Sequence, residues 1–410
     1  MVADTAIRAV HRLTARWCAD LAPDGGTVFT AAGLWPLLAA LADGADGTAR
    51  RELADAVGVP AEGAAGHARE LIAALRRLPG VGAAIGLWTK PGLPVSASWT
   101  ARLPADVHEV LATDGAQARL DAWAARHSNG LVESFPLEVT EDTQLVLASA
   151  LAVRTEWLRP FVPSVLCPEA GPWAERAIAA LYRRTALLDR LAVADTPAGP
   201  VSELRVLGTG GIDVHLLLGE ETAAPGQVLS AGLGLLARRH PRVTGDLLPY
   251  GTPGPGVTVS RSLAYRPEQW LDVVTPRFTV AAGHDLLRSP RTFGLVAASC
   301  PDRGHFPGIA GDFPLAVEAA AQNATASFSA RGFRAAAISA IAVAAGGIPP
   351  KPPYRVREVE FRVDRPFGFL AVHRTSRLVL AAGWVERPDE EPSGLYDSLE
   401  DGDGDDTDAW

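Results

Sequence analysis

The sequence predicts an α+β fold, because helical patterns fill its first third and strand patterns replace them from about Glu203. A second observation is that the later strand patterns are short and separated by Gly or Pro turns. With 410 residues, 48% of them hydrophobic, the chain can bury a large core. We find no internal repeat and no linker before residue 388. The expected organisation is therefore one domain over residues 1–388, followed by an acidic tail over 389–410.

The predicted helices come first in the chain. An amphipathic helix near the N-terminus repeats its apolar residues at spacings of three or four, and Thr30 is a candidate N-cap for the next helix. The segments that carry these patterns are Ile7–Leu21, Ala31–Leu41, Gly47–Val57, His67–Leu78 and Leu120–Phe135. The last of them is interrupted by Asn129-Gly130, which favours a break.

The predicted strands begin with Val81–Thr89 and with Gln144–Val153, a continuous apolar run typical of a central strand buried on both faces. Strand patterns dominate from Glu203 onward. They cover Glu203–Leu207, Asp213–Leu218, Leu271–Val280, Glu358–Val363, Phe367–His373 and Leu378–Glu386. Cys167–Pro200 matches no clear pattern.

The charge distribution limits the classes of partner. The net charge is −9, and Asp389–Trp410 holds ten acidic residues with no Lys or Arg, which leaves the body near +1. Nucleic acid is not expected as a ligand, because no basic stripe is present. A disordered, solvated tail is the favoured interpretation, and a basic partner for it is the alternative.

The cysteines and the N-terminus bear on the compartment. Cys18, Cys167 and Cys300 are far apart and fit no zinc spacing. The N-terminus does not have the pattern of a secretory signal, and no segment has the length and composition of a membrane span. We expect a cytoplasmic protein that binds no membrane, metal or cofactor.

Catalytic motifs are not evident in this sequence. It has no Gly-x-Ser-x-Gly nucleophile turn, no paired histidines at metal-binding spacing and no phosphate-binding loop. Gly208-Thr-Gly-Gly211 is interpreted as a hairpin turn and His215, in an apolar strand, as a core histidine. We therefore expect no enzyme and no catalytic residue.

An alanine-rich segment near the C-terminus is the most unusual feature. Gly332–Pro350 contains small apolar residues with a single charge, Arg334, and no proline before Pro349. Loops are normally polar and rich in turn residues. Every amide from 333 to 347 is free to join a sheet, so the segment is a loop that can become a strand.

Six segments, in order, resemble the serpin family over roughly residues 5–388. They are Val28–Leu53 with its Gly-Thr-Ala-Arg-Arg-Glu-Leu ending, Leu120–Gly130, Leu147–Trp157 followed by Arg159-Pro-Phe161, Pro276-Arg-Phe278, His305–Ile309, and Arg365-Pro-Phe367 through Gly383-Trp-Val385. The abundance of Ala and Gly favours a divergent bacterial member. The resemblance implies helices around a large central mixed sheet with two further sheets and an exposed reactive loop.

In that family the loop is the substrate of a serine protease, and the cleaved loop inserts into the central sheet while the protease is held as an acyl-enzyme. Addition of the loop as an extra strand releases strain that is stored in the native fold. By the family's spacing, the reactive bond is Gly346-Gly347. The hinge is formed by Gly332, Phe333, Arg334, Ala335, Ala336 and Ala337. An extracellular location is possible by family analogy, and a monomer is expected.

Selectivity and sheet opening follow from the same resemblance. Val343, Ala344 and Ala345 precede the reactive bond, and their small side chains suit an elastase-like or subtilisin-like serine protease. The residues matched to the sheet-opening region are Thr30, Gly33, Ser149, Gln322 and Trp157.

Phe333 leaves two functions open. The family generally has threonine or serine at this position. A phenyl ring in a site of that size costs about 1–3 kcal/mol by overpacking, whereas a pocket for it gains about 1.5–3 kcal/mol. Fast insertion would make the protein an inhibitor that acts as a suicide substrate. Slow insertion would make it a serpin-fold binding protein whose loop is cleaved without trapping.

Overall fold

A computed structural model describes residues 4–21, 25–111, 115–128, 138, 140, 143–301, 304–333 and 353–391. The helices in these ranges are α1 (Asp4–Ala19), α2 (Ala31–Gly44), α3 (Gly47–Val57), α4 (Ala64–Leu75), α5 (Ala97–Thr100), α6 (Ala116–Ser128), α7 (Pro225–Leu236), α8 (Pro290–Phe293) and α9 (Pro307–Ala310).

The strands of the N-terminal half are β1 (Thr27–Phe29), β2 (Val81–Thr89), β3 (His108–Val110), β4 (Leu145–Val153), β5 (Thr155–Glu156), β6 (Val162–Leu166), β7 (Ile178–Thr185), β8 (Leu191–Thr196) and β9 (Gly199–Leu207). Those of the C-terminal half are β10 (Ile212–Leu218), β11 (Arg242–Thr244), β12 (Gly251–Gly254), β13 (Val257–Ala264), β14 (Trp270–Pro276), β15 (Phe278–Asp285), β16 (Ala319–Phe328), β17 (Gly332–Phe333), β18 (Tyr354–Arg362), β19 (Phe367–His373) and β20 (Val379–Val385).

The strands form three sheets. The central sheet has the order β3-β2-β4-β16-β17-β5, and β15 pairs with the other edge of β16. It is mixed, because β4 and β16 run parallel while β2 and β4 run antiparallel. The second sheet has the order β1-β20-β19-β10-β9-β8-β11, and the third sheet has the order β12-β13-β18-β14-β7-β6. This arrangement confirms the predicted α+β class.

Helix α2 lies at the centre of the core. The side chain of Thr30 accepts a hydrogen bond from the Gly33 amide, which caps the helix as the sequence predicted. Every residue of α2 except Asp43 is buried, and the helix contacts β2, β4 and β20. It therefore joins the central sheet to the second sheet.

One predicted strand is wrong in its extent. Leu271–Val280 is two strands in two sheets, β14 in the third and β15 in the central. Pro276 has no amide to continue a ladder, and the amide of Arg277 donates to the carbonyl of Ala179 at 2.8 Å. The chain changes sheets at this point. The predicted helix at Leu120–Phe135 is observed as α6, and residues 129–135 lie outside the described residues.

Two smaller interpretations are confirmed. Thr209–Gly211 forms a tight 3-10 turn between β9 and β10, as expected for the glycine-rich hairpin. His215 is buried in β10, and its Nδ1 lies 2.7 Å from Oε1 of the Glu203 carboxylate.

The described chain continues past the predicted domain end at residue 388. The Asp389 amide donates to the Arg277 carbonyl at 3.0 Å, and Glu390 forms a β-bridge with Ile178. The first residues of the acidic segment therefore pack on the third sheet, and the division at residue 388 stays a prediction. Among the described residues, no helix is both long and apolar enough to cross a membrane.

Candidate functional site

The alanine-rich loop lies outside the described residues over 334–352, and we call this segment the reactive loop. The predicted positions Arg334, Ala335, Ala336 and Ala337, Val343, Ala344 and Ala345, and Gly346 and Gly347 all fall within it. The structure describes its two flanks. Gly332 and Phe333 precede it as β17, and β18 follows it from Tyr354.

Strand β17 is already part of the central sheet, between β16 and β5. Phe333 pairs with Phe328 on one side and with Thr155 on the other, and Gly332 pairs with Glu156. A Cβ atom at Gly332 would lie only 2.3 Å from the Thr155 carbonyl oxygen. Glycine is therefore required at this position by the close approach of the neighbouring backbone.

Phe333 fills an apolar pocket. Its side chain is 2% exposed and belongs to the main hydrophobic core. The Phe333 and Phe369 rings meet edge to face with their centroids 6.0 Å apart, a favourable aromatic geometry. Of the two alternatives that the sequence left open, the structure has the pocket, so burial of this ring stabilises the fold instead of straining it.

Four of the predicted sheet-opening residues meet in one buried cluster below β17, which we call the polar lock (Thr30, Gly33, Ser149 and Gln322). The Gln322 Oε1 accepts from the Thr30 amide at 2.6 Å, and its Nε2 donates to the Thr30 carbonyl at 2.9 Å and to the Ser149 Oγ at 2.8 Å. Gln322 is 1% exposed and is therefore shielded from bulk water. The three hydrogen bonds satisfy its side-chain amide, as a buried polar group requires.

Gly33 makes room for this lock. A Cβ atom at Gly33 would lie 3.2 Å from the Thr30 Cγ2 and 3.6 Å from the Ser149 Cβ. A larger residue would therefore push the two side chains apart. The amide of Gly33 also donates to the Thr30 Oγ1 at 3.2 Å, so the helix cap and the polar lock share one side chain.

The polar lock closes the gap that an inserting strand would enter. Strands β4 and β16 pair from Val146 with Ala319 up to Ala150 with Asn323 and then separate, and β17 occupies the far end of the separation. Gln322 and Ser149 are register partners. Their side-chain hydrogen bond therefore ties β4 and β16 together just before the two strands separate.

Trp157, the fifth predicted residue, lies at β17 and not in the polar lock. Its Nε1 donates to the Ser329 carbonyl at 2.8 Å, and its ring lies 4.8 Å from that of Phe328. The Trp157 amide donates to the Arg331 carbonyl at 2.8 Å. Trp157 therefore fixes the turn that leads into β17.

Residues that sequence reasoning missed support the other side of β17. The Thr155 Oγ1 donates to the Thr209 carbonyl at 2.9 Å. Arg374 holds Asp213 with two nitrogens, Nε to Oδ2 at 2.9 Å and Nη2 to Oδ1 at 2.5 Å, and also donates to the Gly208 carbonyl at 2.7 Å. This hydrogen bonding raises the pKa of Arg374 above its usual value.

Only a weak pattern in the sequence indicates the Asp213–Arg374 pair. Asp213 begins one predicted strand and Arg374 follows the end of another, so only their pairing in the sheet brings the charges together. Within the described ranges, no group of three or more His, Cys, Asp or Glu side chains could hold a metal ion.

The strand that follows the reactive loop is held on both sides. Strand β18 pairs antiparallel with β13 from Tyr354 with Ala264 to Phe361 with Val257, and parallel with β14. The β12–β13 hairpin was not predicted from the sequence, because Gly251–Gly256 has the composition of a turn.

Comparisons with known proteins agree with this geometry. The family model described as serpin (serine protease inhibitor) matches residues 3–167 and 257–388. Serpin-Z12 of Oryza sativa subsp. japonica is 28% identical over 377 residues, which cover 86% of this chain and 82% of the rice protein. Serpin-Z6C of the same plant is 24% identical over 422 residues, covering 94% and 96%. These plant relatives do not support the bacterial origin that the composition suggested.

Solved structures show the same fold. Human thyroxine-binding globulin aligns with a TM-score of 0.68 at 16% identity, covering 95% of this chain and 99% of that one. The thermophilic serpin tengpin in its native state aligns with a TM-score of 0.70 at 13% identity, covering 93% and 94%. At these identities the likeness concerns the fold alone.

Proposed function

Because the chain belongs to the serpin family, we propose that it is a serine protease inhibitor that acts as a suicide substrate. The reactive bond is Gly346-Gly347, preceded by Val343, Ala344 and Ala345. The catalytic serine of the protease attacks the Gly346 carbonyl, the peptide bond to Gly347 breaks, and an acyl-enzyme forms. The freed loop then enters the central sheet and carries the protease with it.

The observation that supports this proposal is the position of β17. Phe333 lies on the core face of the central sheet, at the mouth of the gap between β4 and β16. Side chains alternate between the two faces of a strand, so insertion from Phe333 onward places Ala335 and Ala337 on the core face. The single charge, Arg334, falls on the opposite face.

The small side chains suit the space that the described strands offer. Ala324 and Ala326 are buried on the core face of β16, and Leu151 and Val153 are buried on β4. A strand of alanines between them adds backbone hydrogen bonds on both edges with little side-chain volume to accommodate. The inserted strand fills the separation between β4 and β16, and the continuous sheet that results stabilises the cleaved form.

Opening of the polar lock sets the rate of insertion. Gln322 makes three hydrogen bonds to Thr30 and Ser149, each with a net value of about 0.5–1.5 kcal/mol. Each 1.4 kcal/mol on the insertion barrier slows the step about tenfold, while hydrolysis of the acyl-enzyme continues. This lock is also the observation that favours the alternative function, a serpin-fold binding protein whose loop is cleaved without trapping.

The partner protease follows from the residues before the reactive bond. Val343, Ala344 and Ala345 have small apolar side chains, and Gly346 has none. An elastase-like or a subtilisin-like serine protease has pockets that accept such residues. We propose that the inhibitor acts as a monomer, with no nucleic acid, membrane or cofactor involved.

A denaturing gel tests the proposal. The purified protein is mixed with elastase or with subtilisin, and the products are compared with those of a protease whose catalytic serine is blocked. A stable band at the summed mass, only with the active protease, is expected for a trapped acyl-enzyme. Cleavage near Gly346 without that band would contradict inhibition and favour the alternative.

A further inference from the structure

A surface patch beside the end of the reactive loop is not explained by the proposed function. We define the arginine–tyrosine patch as Tyr250, Arg261, Leu263, Arg355 and Arg357. On one face of the third sheet, Arg261 of β13 pairs with Arg357 of β18, and Leu263 pairs with Arg355. The guanidinium carbons of Arg261 and Arg357 lie 4.9 Å and 5.1 Å from the centroid of the Tyr250 ring.

The charges of this patch are not balanced by the described residues. Like charges directly opposite each other in a sheet repel, and the exposed Tyr250 ring offsets this only in part through cation–π contacts. Arg357 donates to the Gly245 carbonyl at 3.2 Å and to the Leu248 carbonyl. Within the described part of the chain, neither Arg261 nor Arg355 has an ion pair.

Nearby carboxylates line a different surface. Asp246 belongs to the loop that contacts Arg357, but it faces a groove of about 420 Å³ together with Asp189 and Glu268. The patch itself therefore keeps three arginines and a phenol whose pKa is lowered, first by a hydrogen bond from Arg261. Such a surface fits an anionic partner.

Exposed apolar side chains accompany the arginines. The exposed fractions are 72% for Leu247, next to the Leu248 carbonyl that accepts from Arg357, 51% for Tyr250 and 60% for Leu263. A cluster of exposed Tyr and Leu with Arg has the composition of a binding surface and not of an ordinary solvated one. The partner should therefore combine acidic residues with apolar ones.

The C-terminal segment of this chain has that composition. Residues 392–410 contain seven acidic residues and no Lys or Arg, together with Leu395, Tyr396, Leu399 and Trp410. The acidic residues just before it already pair with arginines of the body. Asp389 Oδ2 lies 2.9 Å from the Arg277 Nε, and Glu390 Oε1 lies 2.9 Å from the Arg176 Nη2.

The segment is long enough to reach the patch. The bridge of Glu390 with Ile178 and the registers of β7, β14 and β18 place Glu390 about nine residues along the third sheet from Arg357, or roughly 30 Å. An extended chain over 392–410 spans up to roughly 60 Å, which leaves length for a reversal of direction at Pro392-Ser-Gly394.

We propose that the acidic segment 392–410 binds the arginine–tyrosine patch of the same molecule and covers the strand that follows the reactive loop. The carboxylates pair with Arg261, Arg355 and Arg357, and the apolar side chains contact Leu247 and Leu263. This intramolecular cover does not depend on protease trapping.

Chemical modification of arginine tests this in the full-length protein. Phenylglyoxal is added, and mass spectrometry follows the modification rates of Arg261 and Arg355. The comparison is a variant in which the seven acidic residues of the segment become amides: Asp397→Asn, Glu400→Gln, Asp401→Asn, Asp403→Asn, Asp405→Asn, Asp406→Asn and Asp408→Asn. Arg288 is the internal control, because it lies outside the patch and its side chain is 87% exposed.

We expect Arg261 and Arg355 to react at least about threefold more slowly in the native protein than in the amide variant, with Arg288 unchanged. Sodium chloride at high concentration should remove the difference, because exposed charges are screened. Equal rates in the two proteins would overturn the proposal. Protection that disappears on dilution would show a second copy as the occupant, and protection only after protease is added would show a protease contact, and either result would also overturn it.

Discussion

Gln322 and Ser149 are directly opposite each other on the parallel strands β16 and β4, and a hydrogen bond of 2.8 Å joins their side chains. The same Gln322 amide also binds the backbone of Thr30 at the start of α2. One buried side chain therefore ties two strands of the central sheet to the core helix. Any strand that enters between β4 and β16 must first break these bonds.

Removal of the Gln322 amide should lower stability and open the sheet more readily. Gln322→Ala leaves the Thr30 amide buried without its partner, a loss of about 1–3 kcal/mol in the free energy of unfolding. Urea denaturation measures it. The matched control is Ser327→Ala on the same strand, whose hydroxyl lies 2.7 Å from the Thr279 Oγ1 at an exposed position. If the two variants lost equal stability, the polar lock would have no special role.

Truncation of the ring at the start of the loop should release β17. Phe333→Ala removes a side chain that is 2% exposed, and such substitutions cost about 3–5 kcal/mol. Thermal unfolding measures the loss. Tyr354→Ala, at the other flank of the loop, removes a ring that is 44% exposed and should change the free energy of unfolding by less than about 0.5 kcal/mol. A neutral Phe333→Ala would mean that the pocket does not anchor the hinge.

A charge on the core face of the inserted strand should block trapping. Ala335→Arg would bury an unpaired charge on insertion, which costs several kcal/mol, so the covalent complex should disappear on a gel while cleavage continues. Ala336→Arg is the control, because alternation puts it on the same face as Arg334. Trapping should persist in that variant. Normal trapping by Ala335→Arg would contradict insertion of the loop in this register.

Glu203 is buried between His215 and Arg242, whose Nη1 donates to the Glu203 Oε2 at 3.1 Å, so the stability of the protein should depend on pH. Burial alone would raise the pKa of Glu203, but the hydrogen bond with His215 and the charges of His215 and Arg242 outweigh it and lower the pKa below the usual 4.5. A carboxylate with a depressed pKa contributes stability above its unfolded pKa and loses it as the pH falls through the folded value.

Glu203→Gln should therefore destabilise the protein at pH 7 by about 1–3 kcal/mol, and the difference from the native protein should shrink as the pH falls below about 4. Urea midpoints at several pH values measure this. Glu156→Gln, at an exposed position, should match the native protein throughout. A difference for Glu203→Gln that is constant with pH would contradict the assigned role of its charge.

Much of the fold follows from local patterns in the sequence. The helix cap at Thr30 and the apolar run of β4 were predicted within a residue or two, because capping and burial on both faces leave clear local signals. The division of Leu271–Val280 into β14 and β15 was not predicted. Both halves have the same strand pattern, and only tertiary pairing at Arg277 separates them.

The candidate site was predictable in part for a similar reason. Four sheet-opening residues, taken from the family resemblance, do meet in the polar lock, although more than 290 positions separate Thr30 from Gln322. Trp157 was grouped with them but supports the turn before β17 instead. The space for the Phe333 ring depends on Phe369, which is 36 positions away in β19 of the second sheet, so no local pattern could reveal it.

The stability of the protein before and after cleavage at Gly346-Gly347 tests the central claim most directly. The loop is cut with a small amount of elastase, the protease is removed, and the thermal midpoints of the intact and cleaved proteins are compared. Insertion of the loop between β4 and β16, as a continuation of β17, adds hydrogen bonds on both edges of a strand and should raise the midpoint by more than about 10 °C. An unchanged or lower midpoint would show that the cleaved loop stays outside the sheet, and the insertion mechanism would be wrong.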